Sequence, residues 1–277
     1  MIDESGNDSE FASAPPLGHI EPHAPLLNLP TPGQRLFKLM SVENLIRSVE
    51  GSYLHFNRVD HYTDFPLSDD DDGAELPLDR LSNQTATFEK APTFSLSDYY
   101  ARSRGRTYAC CFSLENSEHI WCHYGRGSPM GQVGLEFDFE KLRKRVNAGL
   151  AGDAALMYGD LQCHQIFSIN YGKVAYINRK THRANNEYSA NPIEYAFLKD
   201  ERFADERELR VTMSAIGMGR FVLANGREFD FPPALQLAFD FRGAIADGTI
   251  TQVLTASTTN VEHLTAEFAR LGIRSAS

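Results

Sequence analysis

The chain has 277 residues, 42% of them hydrophobic and 11% aromatic, with a formal net charge of −10. That apolar content fills one sizeable core and excludes wholesale disorder. The acidic balance excludes a general electrostatic grip on nucleic acid, because phosphate binding needs a basic face.

No apolar run approaches the ~20 residues of a membrane helix. The acidic opening Met1-Ile2-Asp3-Glu4-Ser5 lacks the charged-then-apolar pattern of a secretory signal. Four cysteines are too few for a disulfide scaffold in a chain this long. The expectation is a soluble protein of a reducing compartment, cytoplasmic or delivered from the cytoplasm without a cleaved signal.

Residues 1–34 read as a flexible leader. Six of the chain's 13 prolines fall there (Pro15, Pro16, Pro22, Pro25, Pro30 and Pro32), which argues against a continuous helix or a central strand. Order is expected from Arg35. Leu36 to Met40 suits a buried strand, Ser41 caps a helix over Val42 to Val49, Gly51 ends it, and Tyr53 to Phe56 alternates as a strand. The acidic run Asp69 to Asp72 reads as a solvated loop, since adjacent carboxylates repel one another.

Two short helices fit between Leu76 and Arg104. Tyr108 to Phe112 and Val133 to Phe137 read as buried strands. Lys141 to Arg145 forms the solvated face of a helix whose opposite face carries Leu142 and Val146. Further strands are expected at Lys173 to Tyr176 and Leu209 to Met213, and Asn191-Pro192 opens a helix between them. Asn225-Gly226 turns a hairpin between Gly219–Leu223 and Arg227–Phe231. Ile250 to Leu254 is a strand, and Thr259 with Glu262 makes a capping box for a helix that Gly272 stops. Strands outnumber long helices and regular βαβ alternation is missing. The fold class is therefore α+β: one mixed, mainly antiparallel sheet domain over residues 35–277, with short packed helices.

Phosphate-loop, dinucleotide, zincin and nucleophile-elbow signatures are absent. Cys110-Cys111, Cys122-His123 and Cys163-His164 lack metal-ligand spacing and read as buried structural cysteines. Two places concentrate polar and aromatic groups. On a helix, Trp121 and Tyr124 share one face, suited to stacking on a planar ring. In extended chain Glu206, Glu208 and Arg210 project to one face, where the guanidinium separates two carboxylates and supports acid/base chemistry.

These segments together resemble a bacterial family known as domain of unknown function 2971. The likeness runs from Arg35 to the C-terminus through Leu36-Phe37-Lys38 with Ser41, Tyr53-Leu54-His55-Phe56, Cys111-Phe112-Ser113, Trp121-x-x-Tyr124, Gly134-Leu135-Glu136-Phe137 and Glu206-x-Glu208-x-Arg210. The family's Phe-Asn-Asp-Pro-like element corresponds here to Tyr62-Thr63-Asp64-Phe65, which keeps only the acid.

A second resemblance, in architecture, is to ADP-ribosyltransferases, which carry a late-strand glutamate and sometimes an E-x-E pair. It implies NAD as substrate, Glu208 as catalytic residue with Glu206 beside it, Lys38 and Ser41 at the nicotinamide ribose, and Trp121, Tyr124 and Arg210 around the ligand. The role implied is a toxin, effector or defence enzyme acting on an unknown acceptor or protein partner. Two alternatives stand beside it. One is a magnesium-dependent nuclease or phosphodiesterase using Asp64, Glu206 and Glu208 with Lys38 or Lys199. The other is a non-enzymatic binding module anchored by Trp121 and Tyr124.

Overall fold

The computed structural model describes residues 18–64, 69–151, 156–163, 165, 167–184, 191–217 and 219–273. In chain order its first strands are β1 Gly18–Ile20, β2 Arg35–Ser41, β3 Tyr53–Arg58, β4 Thr87–Phe88, β5 Ala91–Ser95 and β6 Thr107–Ser113. Next come β7 Gln132–Asp138, β8 Leu156–Tyr158, β9 Leu161–Gln162, β10 Phe167–Lys173, β11 Ala175–Ile177 and β12 Leu198–Asp200. The last are β13 Glu208–Ala215, β14 Phe221–Val222, β15 Glu228–Phe229, β16 Ala234–Ala238 and β17 Ile250–Thr255. The helices are α1 Val42–Glu50, α2 Pro77–Asn83, α3 Leu96–Arg104, α4 Glu118–His123, α5 Phe139–Leu150, α6 Phe241–Ala246 and α7 Val261–Arg270. Among the described residues, no helix is long and apolar enough to cross a membrane.

One large sheet organises the molecule in the order β1-β10-β13-β6-β3-β16-β8-β9, with a branch β6-β2-β7-β17. All its pairings are antiparallel except β1 with β10, so the α+β expectation holds. The sheet forks at β6. Tyr108 and Ala109 at its start pair with β3, whereas Ser113 at its end pairs with Phe37 of β2. At the fork, the Lys38 ammonium donates to the Cys111 carbonyl at 3.0 Å and lies over the Phe112 ring.

Period-two alternation gives the central strands two unlike faces. Leu209, Val211 and Met213 of β13 stand beside Tyr108, Cys110 and Phe112 of β6 and Phe167, Ile169 and Tyr171 of β10. This apolar face meets buried residues of α1, α5, α6 and α7 in the main core. The opposite face carries Glu208, Arg210 and Thr212, with Cys111, Ser113, Ser168, Asn170 and Gly172 alongside. It is covered too, by the segments around Asp72 and around Ala196–Lys199, so Asn170, Arg210 and Thr212 are all fully buried. Gly172 permits that second layer, since a Cβ there would lie 2.9 Å from the Phe197 ring.

The structure corrects several local readings. Ordered chain begins before Arg35: β1 adds to the edge of β10, Glu21 forms a forked ion pair with Arg143, and Leu27 packs on Ile193, Ala196 and Phe197. The acidic run is not uniformly solvated, because Asp69 and Asp72 are buried while Asp70 and Asp71 are exposed. Asn191 accepts from Ile193 N–H, but no side chain caps the element that follows, which is a single 3-10 turn over Glu194–Phe197 rather than a helix. The α7 cap is Asn260, which accepts from His263 N–H. Thr259 instead donates to the Gln132 carbonyl. Strand β16 has no counterpart among the expected elements.

Candidate functional site

Asp200 opens a 3-10 turn over Glu201–Glu206 by accepting from Arg202 N–H. Arg207 closes it in the left-handed region, at φ 44° and ψ 55°. Glu208 then begins β13. The expectation of one extended Glu206-x-Glu208-x-Arg210 face is thus half right. Glu208 and Arg210 share a strand face, whereas Glu206 sits on the preceding turn and is returned to the same side by Arg207.

Arg210 is the largest fully buried side chain described. Its Nε and Nη2 donate to the two Glu208 carboxylate oxygens at 2.6 and 3.0 Å. Nη1 and Nη2 meet the two Asp72 oxygens, the second at 2.8 Å, and Nη1 also donates to the Ala196 carbonyl at 2.7 Å. Burial works against the Glu208 anion, but Arg210 and then Lys199 overcome it and hold the carboxyl at about 2. The Glu208 backbone N–H donates to the Tyr176 hydroxyl at 2.7 Å.

Lys199 stands between the two glutamates, 2.5 Å from Glu206 Oε2 and 3.5 Å from Glu208 Oε2. Burial disfavours its charge, yet Glu208 and Glu206 more than offset this and raise the ammonium's affinity for its proton. Glu206 behaves oppositely to Glu208. Burial and the neighbouring Glu208 charge raise its carboxyl above 4.5, against the pull of Lys199 and a hydrogen bond from Tyr124. Within this contact network three carboxylates (Asp72, Glu206, Glu208) face two cations (Lys199, Arg210). Burial also raises the Asp72 carboxyl against the pull of Arg210, so Asp72 and Glu206 share the surplus negative charge, and Glu206 is the one that Arg210 does not clamp.

The other expected site residues divide into two groups. Tyr124 joins the cluster by a different route from the helical face expected. It is the α4 cap residue, in extended conformation, and its side chain turns to Glu206. Lys38 reaches it indirectly, through the Cys111 carbonyl, and the Cys111 thiol hydrogen bonds Glu208. Ser41 is occupied by capping α1 through Asn44 N–H at 3.2 Å. Trp121 donates its indole N–H to Asn116 at 2.7 Å and packs over Gly134 of β7.

Sequence reading missed Asp72 and Tyr176 altogether, and named Lys199 only as a phosphate ligand. The side chain of Asp64, and His164, lie outside the described residues. Of the cysteines, Cys110 and Cys163 are buried as expected, while Cys122 is exposed. Among the described residues, no group of three His, Cys, Asp or Glu side chains is placed to hold a metal.

The model of a family described as protein of unknown function (DUF2971) matches residues 120–211. That span begins in α4 and ends within β13, so it includes Tyr124, Tyr176, Lys199, Glu206, Glu208 and Arg210. No curated protein and no solved structure matches the chain.

Proposed function

We propose that the protein is an ADP-ribosyltransferase-like enzyme that uses NAD, with Glu206 as the carboxylate facing the reaction and Glu208 as its fixed neighbour. The observation that carries this reading is the surplus carboxylate of the buried cluster. A ribosyl oxocarbenium ion is a cation formed only in flight. A preorganised negative site stabilises it more than the ground state, which is what accelerates a step.

In this scheme the bond from ribose C1′ to the nicotinamide nitrogen breaks and its electron pair stays on that nitrogen, neutralising the pyridinium. The acceptor's lone pair then forms the new bond to C1′, and the acceptor's proton passes to Glu206. Lys199 and Tyr124 hold the Glu206 carboxylate in place. Glu208 adds negative field from a position that Arg210 makes rigid. This division departs from the resemblance, which assigns the chemistry to Glu208.

The test is nicotinamide release from NAD by the purified chain, with Glu206→Gln and Glu208→Gln beside it. Glu206→Gln is expected to keep its melting temperature near wild type and lose about 10²–10⁴-fold in rate, the range for a positioned acid or base. No release by the wild type, or an undiminished rate in Glu206→Gln, rejects the proposal.

A further inference from the structure

From Leu161 to Asn186 the chain contains no aspartate or glutamate, although it carries 37 of them overall. The same stretch holds Lys173, Arg179, Lys180 and Arg183. A local cationic segment in a chain of net charge −10 points to an anionic partner rather than to general surface balance.

Arg179 is the pivot. It is 6% exposed, and among the described residues only its Nη2 has a hydrogen-bond acceptor, the Ala74 carbonyl at 3.1 Å. Its Nε and Nη1 are buried without partners among the described residues. Three acidic groups of the segment that supplies Ala74 are engaged elsewhere. Asp72 is clamped by Arg210, Glu75 accepts from Ser97 at 2.8 Å, and Asp79 accepts from the Tyr195 hydroxyl and Ala184 N–H, each at 3.1 Å. A guanidinium does not shed its charge in a protein, and orphaned donors cost more than a made hydrogen bond returns. The orphan Nε and Nη1 lie on either side of the bonded Nη2, on different edges of the guanidinium, and such charged donors match the oxygens of phosphoryl groups.

The loop around Arg179 is fixed and lies beside the glutamate cluster. Asn178 accepts from Lys180 N–H at 3.1 Å and anchors to Glu201 at 3.1 Å. Tyr176, whose hydroxyl meets Glu208 N–H, pairs in register with Lys199. Arg179 follows three residues later, so its Cα lies within about 10 Å of that of Tyr176. Lys180, His182 and Arg183 are exposed beside it.

Resting on the transfer reading above, we infer that Arg179 is the core of a diphosphate subsite, with Lys180 and Arg183 at its rim. The substrate class is then a sugar joined to a nucleoside diphosphate, its anomeric carbon at Glu206 and its diphosphate at Arg179.

Calorimetric titration with inorganic pyrophosphate, at low and at high salt, tests this without any glycosidic bond. Wild type is expected to bind, and Arg179→Gln to bind at least tenfold more weakly. Lys180→Ala/Arg183→Ala, which alters only exposed side chains, is expected to weaken binding several-fold and to reduce its salt dependence. Glu206→Gln should bind pyrophosphate as wild type does even where nicotinamide release is lost, which separates the subsite from the chemistry. No binding by wild type at millimolar pyrophosphate overturns the inference, as does an unchanged dissociation constant in Arg179→Gln. Should Arg179→Gln fail to fold, an unchanged constant in the exposed double variant overturns it equally.

Discussion

Replacing Arg210 by methionine removes a fully buried guanidinium and takes from Glu208 and Asp72 the cation that bridges them, leaving Lys199 as the nearby positive charge. Breaking a buried ion pair from one side costs about 3–5 kcal/mol. The sign agrees: Arg210 is the largest of the influences that hold the Glu208 carboxyl below its ordinary value against burial. With a urea dependence of about 2.5 kcal/mol/M, a loss of 4 kcal/mol lowers the unfolding midpoint by about 1.6 M. The melting temperature falls by about 8–16 °C.

The single tryptophan, Trp121, packed over Gly134, reports the transition by fluorescence. The pH dependence has a definite sign. The folded-state value of Glu208 lies below its unfolded value, so its contribution is present above about pH 4.5 and is lost as pH falls through about 2. Arg210→Met should forfeit that contribution across the neutral range. The triple change Arg210→Met/Glu208→Leu/Asp72→Leu should recover most of the loss, because an apolar set in place of a buried ion cluster is often neutral or stabilising. A loss below about 1 kcal/mol in Arg210→Met would refute the reasoning, since the cluster would then be solvated enough to do without its central cation.

Two further outcomes follow from the same geometry. If Glu206 must be ionised to take a proton, nicotinamide release should rise with pH along an acid limb whose midpoint lies above 4.5. Tyr124→Phe removes a hydrogen bond that pulls Glu206 downward, so the limb should move to higher pH; a pH–rate profile superimposable on wild type would count against the contact. Gly125→Ala places a Cβ at φ +70° and 2.6 Å from the Met40 carbonyl carbon. It should cost roughly 1–3 kcal/mol of stability. Because Gly125 sets the exit of Tyr124 from α4, nicotinamide release should also fall at temperatures where the variant stays folded. Wild-type stability and rate together would contradict this.

What the sequence made legible was local. Alternation marked β6, β7 and β13, and a cap residue marked α1 at Ser41. The Glu206, Glu208 and Arg210 cluster was visible because its members are neighbours in the chain. Asp72 was not, because its partner Arg210 is 138 positions away and four consecutive acids look alike until packing buries two of them. Spacing by three puts Asp69 and Asp72 inward and leaves Asp70 and Asp71 in water. Proline content described residues 1–34 as a whole and so obscured Gly18–Ile20, three residues without proline that add to an open sheet edge. The turn at Arg207 gave no signal either, since a left-handed arginine is a local cost accepted for tertiary reasons.

Lys199 also bears on the choice between magnesium chemistry and transfer chemistry. Buried carboxylates gathered at one point need compensating positive charge, and a divalent cation or basic side chains both supply it. Here the ammonium lies between Glu206 and Glu208, within 2.5 and 3.5 Å of their oxygens, where a bridging metal would have to sit. A metal would require Lys199 to leave or deprotonate, and both carboxylates raise its hold on its proton. The fixed cations offset two of three negative charges, and of the two carboxylates whose anionic form is costly, Asp72 and Glu206, Glu206 is the one that Arg210 does not clamp. Such a group gains most from a positive charge that arrives briefly. An oxocarbenium ion beside Glu206 is that charge, and its decay through attack by an acceptor returns a proton to the same carboxylate.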